Sequence, residues 1–239
     1  MNQDIDGIKN SNCVFIIAQG RSGSTLLLRL LNSVDGYNIC GENYNAISSL
    51  SYFYQALVKT QKQSPKNQHR FCTYEELSSR DVTYKDYSGF EWYNVYDIKL
   101  LEDRLASLIY EMFNPPNSKF RVWGFKEIRI GGGNAYFVNF SWNLDFLKNL
   151  FPKAKFIFNT RNLGDLLKSG WWKEQPERSK KILENQYNLF MEYNYKNPEY
   201  TYHMTYKDIV NCTDNLKNMY SDFLLEPFDE SQYKDVMNR

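Results

Sequence analysis

The chain has 239 residues, with 29 Lys and Arg against 28 Asp and Glu, for a net charge of +1. That near-balance gives no electrostatic reason to expect a nucleic acid or an anionic membrane as partner, so any anion site must be built locally. Four scattered cysteines without a Cys-x-x-Cys pair, and only two histidines, His69 and His203, predict no metal site and suit a reducing, cytoplasmic compartment.

The N-terminus, MNQDIDGIKNSN, is polar and partly acidic, unlike a signal peptide. No apolar stretch approaches the roughly 18 residues needed to span a bilayer. A single domain over residues 1–239 is expected, large enough to bury a core without disulfides.

The apolar run 13–19 (CVFIIAQ) predicts a buried parallel strand, and STLLLRLLNSV (24–34) predicts a helix capped by Ser22 or Ser24. A second helix is expected over 46–60, followed by irregular chain to about 95. DIKLLEDRLASLIYEMF (97–113) has a helical period and stops before Pro115 and Pro116. FRVWGFK (120–126) reads as a strand, 131–133 as a glycine loop, 142–150 as a helix and KFIFNT (155–160) as a strand. Helices are expected at 163–173 and 177–195, a strand at 200–205, and helices at 213–223 and 229–237. Strands alternating with helices argue for an α/β, P-loop-like three-layer sandwich with a mainly parallel central sheet. Ligands bind such sheets at strand carboxyl ends, which points to 19–25, 126–129, 161–169 and 205–208.

The segment AQGRSGST (18–25) has the layout of a phosphate loop, strand to turn to helix. Ala18 stands where the first glycine of that motif belongs, and Ser24 where its lysine belongs. In nucleoside triphosphatases the lysine answers the β- and γ-phosphates, while the hydroxyl holds Mg²⁺. Its absence argues for a less charged phosphate, held by amides at a helix N-terminus, by the hydroxyls of Ser22, Ser24 and Thr25, and by Arg21. A plain turn capping a helix is the competing explanation.

GRSGSTLL after a strand resembles the 5′-phosphosulfate loop of the sulfotransferases that use 3′-phosphoadenosine-5′-phosphosulfate (PAPS), in its arginine form, found in the tyrosylprotein, carbohydrate and bacterial branches. KAKFIFNTRNLGDLLKSGWW (153–172) resembles the 3′-phosphate site of the family, in which an arginine at a strand end precedes a serine by eight residues. There Arg161 can grip a phosphate in bidentate fashion, and Ser169, on the following helix, can donate its hydroxyl. TYKDIV (205–210) resembles the segment whose tyrosine, here Tyr206, lies near the adenine. The resemblance thus implies a donor site of Arg21, Ser22, Gly23, Ser24, Thr25, Arg161, Ser169 and Tyr206, with PAPS as donor and no metal.

The same resemblance places a catalytic glutamate in CGEN (40–43), so Glu42 is the expected base; a carboxylate serves best in that role where burial raises its pKa towards the operating pH. It also implies Lys126, after the WGF strand, as a cation for the sulfuryl or bridging oxygen beside Arg21. Arg129 and the loop 131–133 are candidates for the acceptor side. His69 and His203 are rival bases, each more readily explained as structural. The late glycine- and lysine-rich loop that closes the 3′-phosphate site in the cytosolic branch has no counterpart in this sequence. The acceptor is a small molecule, carbohydrate or peptide with a hydroxyl or amine, and the aromatics of 84–96 are candidates to stack on it. An atypical P-loop kinase and a non-catalytic nucleotide-binding protein remain open beside the transferase.

Overall fold

Residues 4–63, 97–115, 117–118, 120–130 and 140–238 are described by a computed structural model. The strand β1 (Asn12–Ala18) is buried at every position after Asn12, because its odd and even side chains each meet a hydrophobic layer. Around it lie β2 (Tyr37–Cys40), β3 (Val122–Glu127), β4 (Lys155–Thr160) and β5 (Thr201–Thr205), in the order β2-β3-β1-β4-β5. Every neighbouring pair is parallel.

The helices are α1 (Ile5–Lys9), α2 (Ser24–Leu31), α3 (Ala46–Gln63), α4 (Ile98–Phe113), α5 (Phe140–Leu150), α6 (Leu163–Leu167), α7 (Pro176–Lys196), α8 (Tyr206–Val210), α9 (Asp214–Asn218) and α10 (Glu230–Met237). A 3₁₀ turn, Gly170–Glu174, joins α6 to α7, and a π-helical turn, Met219–Leu224, follows α9. On one face of the sheet Phe15, Ile17, Phe125, Phe156 and Phe158 pack against residues of α3, α4, α5 and α7. On the other, Val14, Ile16, Ala18, Ile157 and Met204 pack against α2 and the C-terminal helices. Each large apolar side chain so buried contributes roughly 1.5–3 kcal/mol. The result is a three-layer α/β fold whose central sheet is wholly parallel.

Because β3 and β4 flank β1 on opposite sides, the carboxyl ends of all three converge. This is the switch point at which open α/β sheets bind ligands.

The structure adds α1, β2 and α8, elements of four or five residues, too short to show a period. It also corrects two expectations. The helix expected over 163–173 is broken: α6 ends at Leu167, and Ser169 has an extended backbone (φ −112°, ψ 133°) before the 3₁₀ turn. Ser169 therefore lies in the break and not on a helix. Gly170 makes that break, with φ +55° and a position where a Cβ would stand 3.2 Å from Arg21 Cδ. The N-cap of α2 is Gly23, at φ +84°, and neither Ser22 nor Ser24. His69, Cys72, the loop 131–133 and the aromatics of 84–96 lie outside the described residues.

Candidate active site

The phosphate-type loop leaves β1 at Gln19 and turns through Arg21, whose φ of +70° is left-handed. Two bonds set the turn. The amide of Ser22 donates to Gln19 O at 3.1 Å, and its buried hydroxyl donates to Asn159 Oδ1, on β4, at 2.7 Å. Ser22 therefore builds the loop with both its donors. The amides of Gly23, Ser24 and Thr25 donate to no described residue, as expected where a helix begins. They lie at the positive end of the α2 dipole, where an anion is favoured.

Gly23 has a second reason to be glycine. A Cβ there would fall inside the ring edge of Tyr206, the first residue of α8. Tyr206 is fixed by the reciprocal cap that precedes it, in which Thr205 and Asp208 exchange backbone and side-chain bonds. Its ring is in turn overlaid by the Arg161 guanidinium at 4.4 Å from the centroid. Arg161 follows the last residue of β4, and its Nε is buried without a hydrogen-bond acceptor, 3.8 Å from Asp165 Oδ2. Tyr206 thus touches the phosphate loop and Arg161 together, and its ring is not free on both sides for a base.

Arg21 Nε donates to Ser169 Oγ at 3.3 Å, and Trp172 Nε1 donates to Gly20 O at 2.8 Å. The two loops, far apart in sequence, therefore form one polar surface.

A second cluster sits at the end of β3. Parallel pairing places Cys40, the last residue of β2, beside Phe125, so the chain two residues on meets Lys126. Lys126 Nζ donates to Glu42 Oε1 at 2.6 Å, and Arg129 Nη1 donates to Glu42 Oε2 at 2.7 Å. Burial alone would raise the Glu42 carboxyl, but the hydrogen bonds and charges of Lys126 and Arg129 outweigh it and hold the carboxyl below its ordinary value. This reverses the direction expected from burial. The partner of Lys126 is Glu42, across strands, and not its neighbour Glu127.

Sequence reasoning gave Glu127 no role in the site. Fully buried, it accepts the amides of Asn43 (3.2 Å), Asn45 (2.9 Å), Ile128 (2.9 Å) and Arg129 (3.0 Å), and Arg129 Nη1 at 3.2 Å. It clamps the loop carrying Glu42 to the end of β3. No local pattern announces this, since Asn43 and Asn45 lie more than eighty residues away. Among the described residues, no hydrogen bond or ion pair joins Glu42, Lys126 or Arg129 to Arg21, Arg161 or Ser169. The two clusters are tied instead through Gln186 of α7, whose Nε2 lies 3.5, 3.4 and 3.3 Å from Ala18 O, Ile128 O and Ile130 O.

His203, the described rival base, is bonded through Nε2 to Thr160 Oγ1 at 2.8 Å. It shares a cleft of about 590 Å³ with Gln19, Arg161, Leu183 and Tyr187. Burial lowers its pKa below the ordinary value, opposed by the charge of Asp208.

The sequence matches the family described as "Sulfotransferase family" over residues 13–215. Among solved structures it is similar to the sulfotransferase domain from the curacin biosynthetic pathway, at 15% identity over 94% of this chain and 77% of that one, with a TM-score of 0.48. It is also similar to the sulfotransferase STF9 from Mycobacterium avium, at 11% identity over 98% of this chain and 69% of that one, with a TM-score of 0.44. A third likeness is to retinol dehydratase in complex with androsterone and inactive cofactor PAP, at 14% identity over 98% and 67% of the two chains and a TM-score of 0.41. No curated protein matches the sequence. The family match spans most of the chain and carries the assignment.

Proposed function

Since the chain belongs to the sulfotransferase family, we propose that it takes the sulfuryl group from PAPS and transfers it to a hydroxyl or amine acceptor. The observation that supports this reading best is the Arg21–Ser169 hydrogen bond of 3.3 Å, which joins the two segments expected to hold the 5′- and 3′-phosphates. The residues present fit such a donor. The amides of Gly23, Ser24 and Thr25 are open at the start of α2, and Arg161 keeps a buried Nε without an acceptor. A buried donor without a hydrogen-bond acceptor is costly unless a ligand answers it, and a phosphate oxygen is a suitable partner.

In this reading the loop amides, Ser24 and Thr25 hold the 5′-phosphate, and Ser22 holds the loop in shape. Arg161 and Ser169 grip the 3′-phosphate, and Tyr206 backs Arg161. PAPS, when bound, supplies the sulfuryl group and the adenosine bisphosphate that departs. Glu42 takes the acceptor's proton. Its lowered pKa keeps it ionised throughout the physiological range, at some cost in basicity. The pairing with Lys126 and Arg129 fixes its two oxygens in place. When Glu42 gains the proton its charge is lost, and Lys126 is released to stabilise negative charge on the sulfuryl or bridging oxygen, beside Arg21. No helix among the described residues is long and apolar enough to cross a membrane; we place the reaction in the cytoplasm on the separate ground that scattered cysteines suit a reducing compartment.

A thermal-shift comparison tests the donor. Adenosine 3′,5′-bisphosphate without Mg²⁺ should stabilise the free protein by about 2.7 kcal/mol at one hundred times its Kd, and by more than ATP with Mg²⁺ does. The reverse ranking would return the chain to the kinase reading.

A further inference from the structure

Tyr44 is a large aromatic in a place where folding gives it little to do. It is 85% exposed, it lies two residues after Glu42, and its φ of +57° is left-handed. Asn45 follows at +63°. Such a conformation suits glycine or asparagine, and a tyrosine there is strained. Strained backbone collects where function requires it.

The strain is imposed by the buried Glu127 carboxylate, whose Oε2 takes the amides of Asn43 and Asn45 on either side of Tyr44. The chain bulges between those two anchors and presents the Tyr44 ring to solvent. The ring is nevertheless set in direction. The Arg129 guanidinium lies 4.4 Å from its centroid, while Nη1 of the same group holds Glu42 Oε2 at 2.7 Å. One residue therefore orients both the expected base and an exposed aromatic face.

We infer that Tyr44 is the platform on which the acceptor lies, and that the acceptor carries its reacting hydroxyl on a ring with a flat apolar face, aromatic or pyranose. A ring stacked on Tyr44 is held next to Glu42 without any contact to the donor loops. An acyclic hydroxyl, with no flat face to stack, would gain less from that surface. The Arg129 cation polarises the tyrosine ring, and both ring classes gain from stacking on it. This inference rests on the transferase reading above and names the substrate class of the same site.

The test uses the full chain and transfer of label from sulfur-35 PAPS to 2-naphthol, methyl β-D-glucopyranoside and, as an acyclic control, 1-hexanol. Labelled product is expected with one or both ring acceptors in clear excess over 1-hexanol. Tyr44→Gly should raise KM for the ring acceptor roughly tenfold with kcat little changed. Tyr44→Trp, which keeps a ring, should stay near the wild-type value. The thermal midpoint of Tyr44→Gly should be equal to or above wild type, since glycine accepts the backbone conformation. Affinity for adenosine 3′,5′-bisphosphate, measured in parallel, should be the same in all three proteins. Failure of the wild type to bind that nucleotide would remove the transferase reading and this inference with it. Normal nucleotide binding with preference for 1-hexanol, with no ring acceptor used, or with an unchanged KM in Tyr44→Gly would overturn the platform alone.

Discussion

The Arg161 guanidinium lies 4.4 Å over the ring of Tyr206, while the edge of the same ring blocks any side chain at Gly23. The first residue of α8 thus stands between the two expected phosphate sites. Arg161→Ala should weaken binding of adenosine 3′,5′-bisphosphate by about 1.5–3 kcal/mol, the worth of a charge-assisted contact. Tyr206→Ala should cost about 0.5–1 kcal/mol through the lost platform. The double variant should cost less than the sum, because the two groups act together. Calorimetric titration of the four proteins measures the cycle, and strict additivity would uncouple them.

Glu42→Gln should lower turnover at least ~100-fold while nucleotide affinity is kept. Its depressed pKa carries a second consequence. The folded state holds Glu42 ionised more strongly than the unfolded chain does, so its contribution to stability is present above the unfolded value near ~4.3 and is lost as pH falls through the lower folded value. Urea titrations between pH 7 and pH 3 should show a shallower acid-side decline in Glu42→Gln. A decline as steep as wild type would mean that the pairing with Lys126 and Arg129 is not maintained in solution.

Glu127 anchors two loops from a fully buried position. Glu127→Gln keeps the volume but exchanges an acceptor-only carboxylate for an amide that must point a donor at other donors. Loss of stability on the order of 3 kcal/mol is expected in urea unfolding, as for one partner removed from a buried charge network. Nucleotide binding at Arg161 should change little. A loss below about 0.5 kcal/mol, the range of ordinary surface substitutions, would show that water or another conformation replaces the clamp.

His203 is half-buried against Thr160, and its pKa is lowered by that burial, opposed by the charge of Asp208. A depressed folded value means that stability is fully present above the unfolded value of about 6.5 and is lost as pH falls through the folded one. Between pH 7 and pH 5 the urea midpoint of wild type should fall, and His203→Gln should flatten that interval. Turnover at neutral pH should survive the change, since His203 is committed to Thr160. Loss of turnover comparable to that of Glu42→Gln would make His203 the base.

The α/β class was legible from apolar runs such as FIIA and FIF set between helical periods, because burial on both faces leaves a continuous hydrophobic signature. The strand–turn–helix layout at 18–25 was legible as well, and the Arg161–Ser169 spacing could be picked out, since each is contiguous in sequence. The break that places Ser169 off the helix was not. It depends on Gly170 taking a left-handed turn beside the Arg21–Ser169 hydrogen bond, which spans 148 positions of sequence.

What the sequence alone determined is which candidate anion-binding groups are present and which strands carry them. What only the tertiary structure decided is which charges meet. The parallel pairing of β2 with β3 brings Glu42 to Lys126, and the Glu127 carboxylate gathers amides from both sides of Tyr44. A side chain's charge is written in its own residue, but its pKa, its partner and the direction it faces are properties of neighbours that the fold supplies from distant sequence.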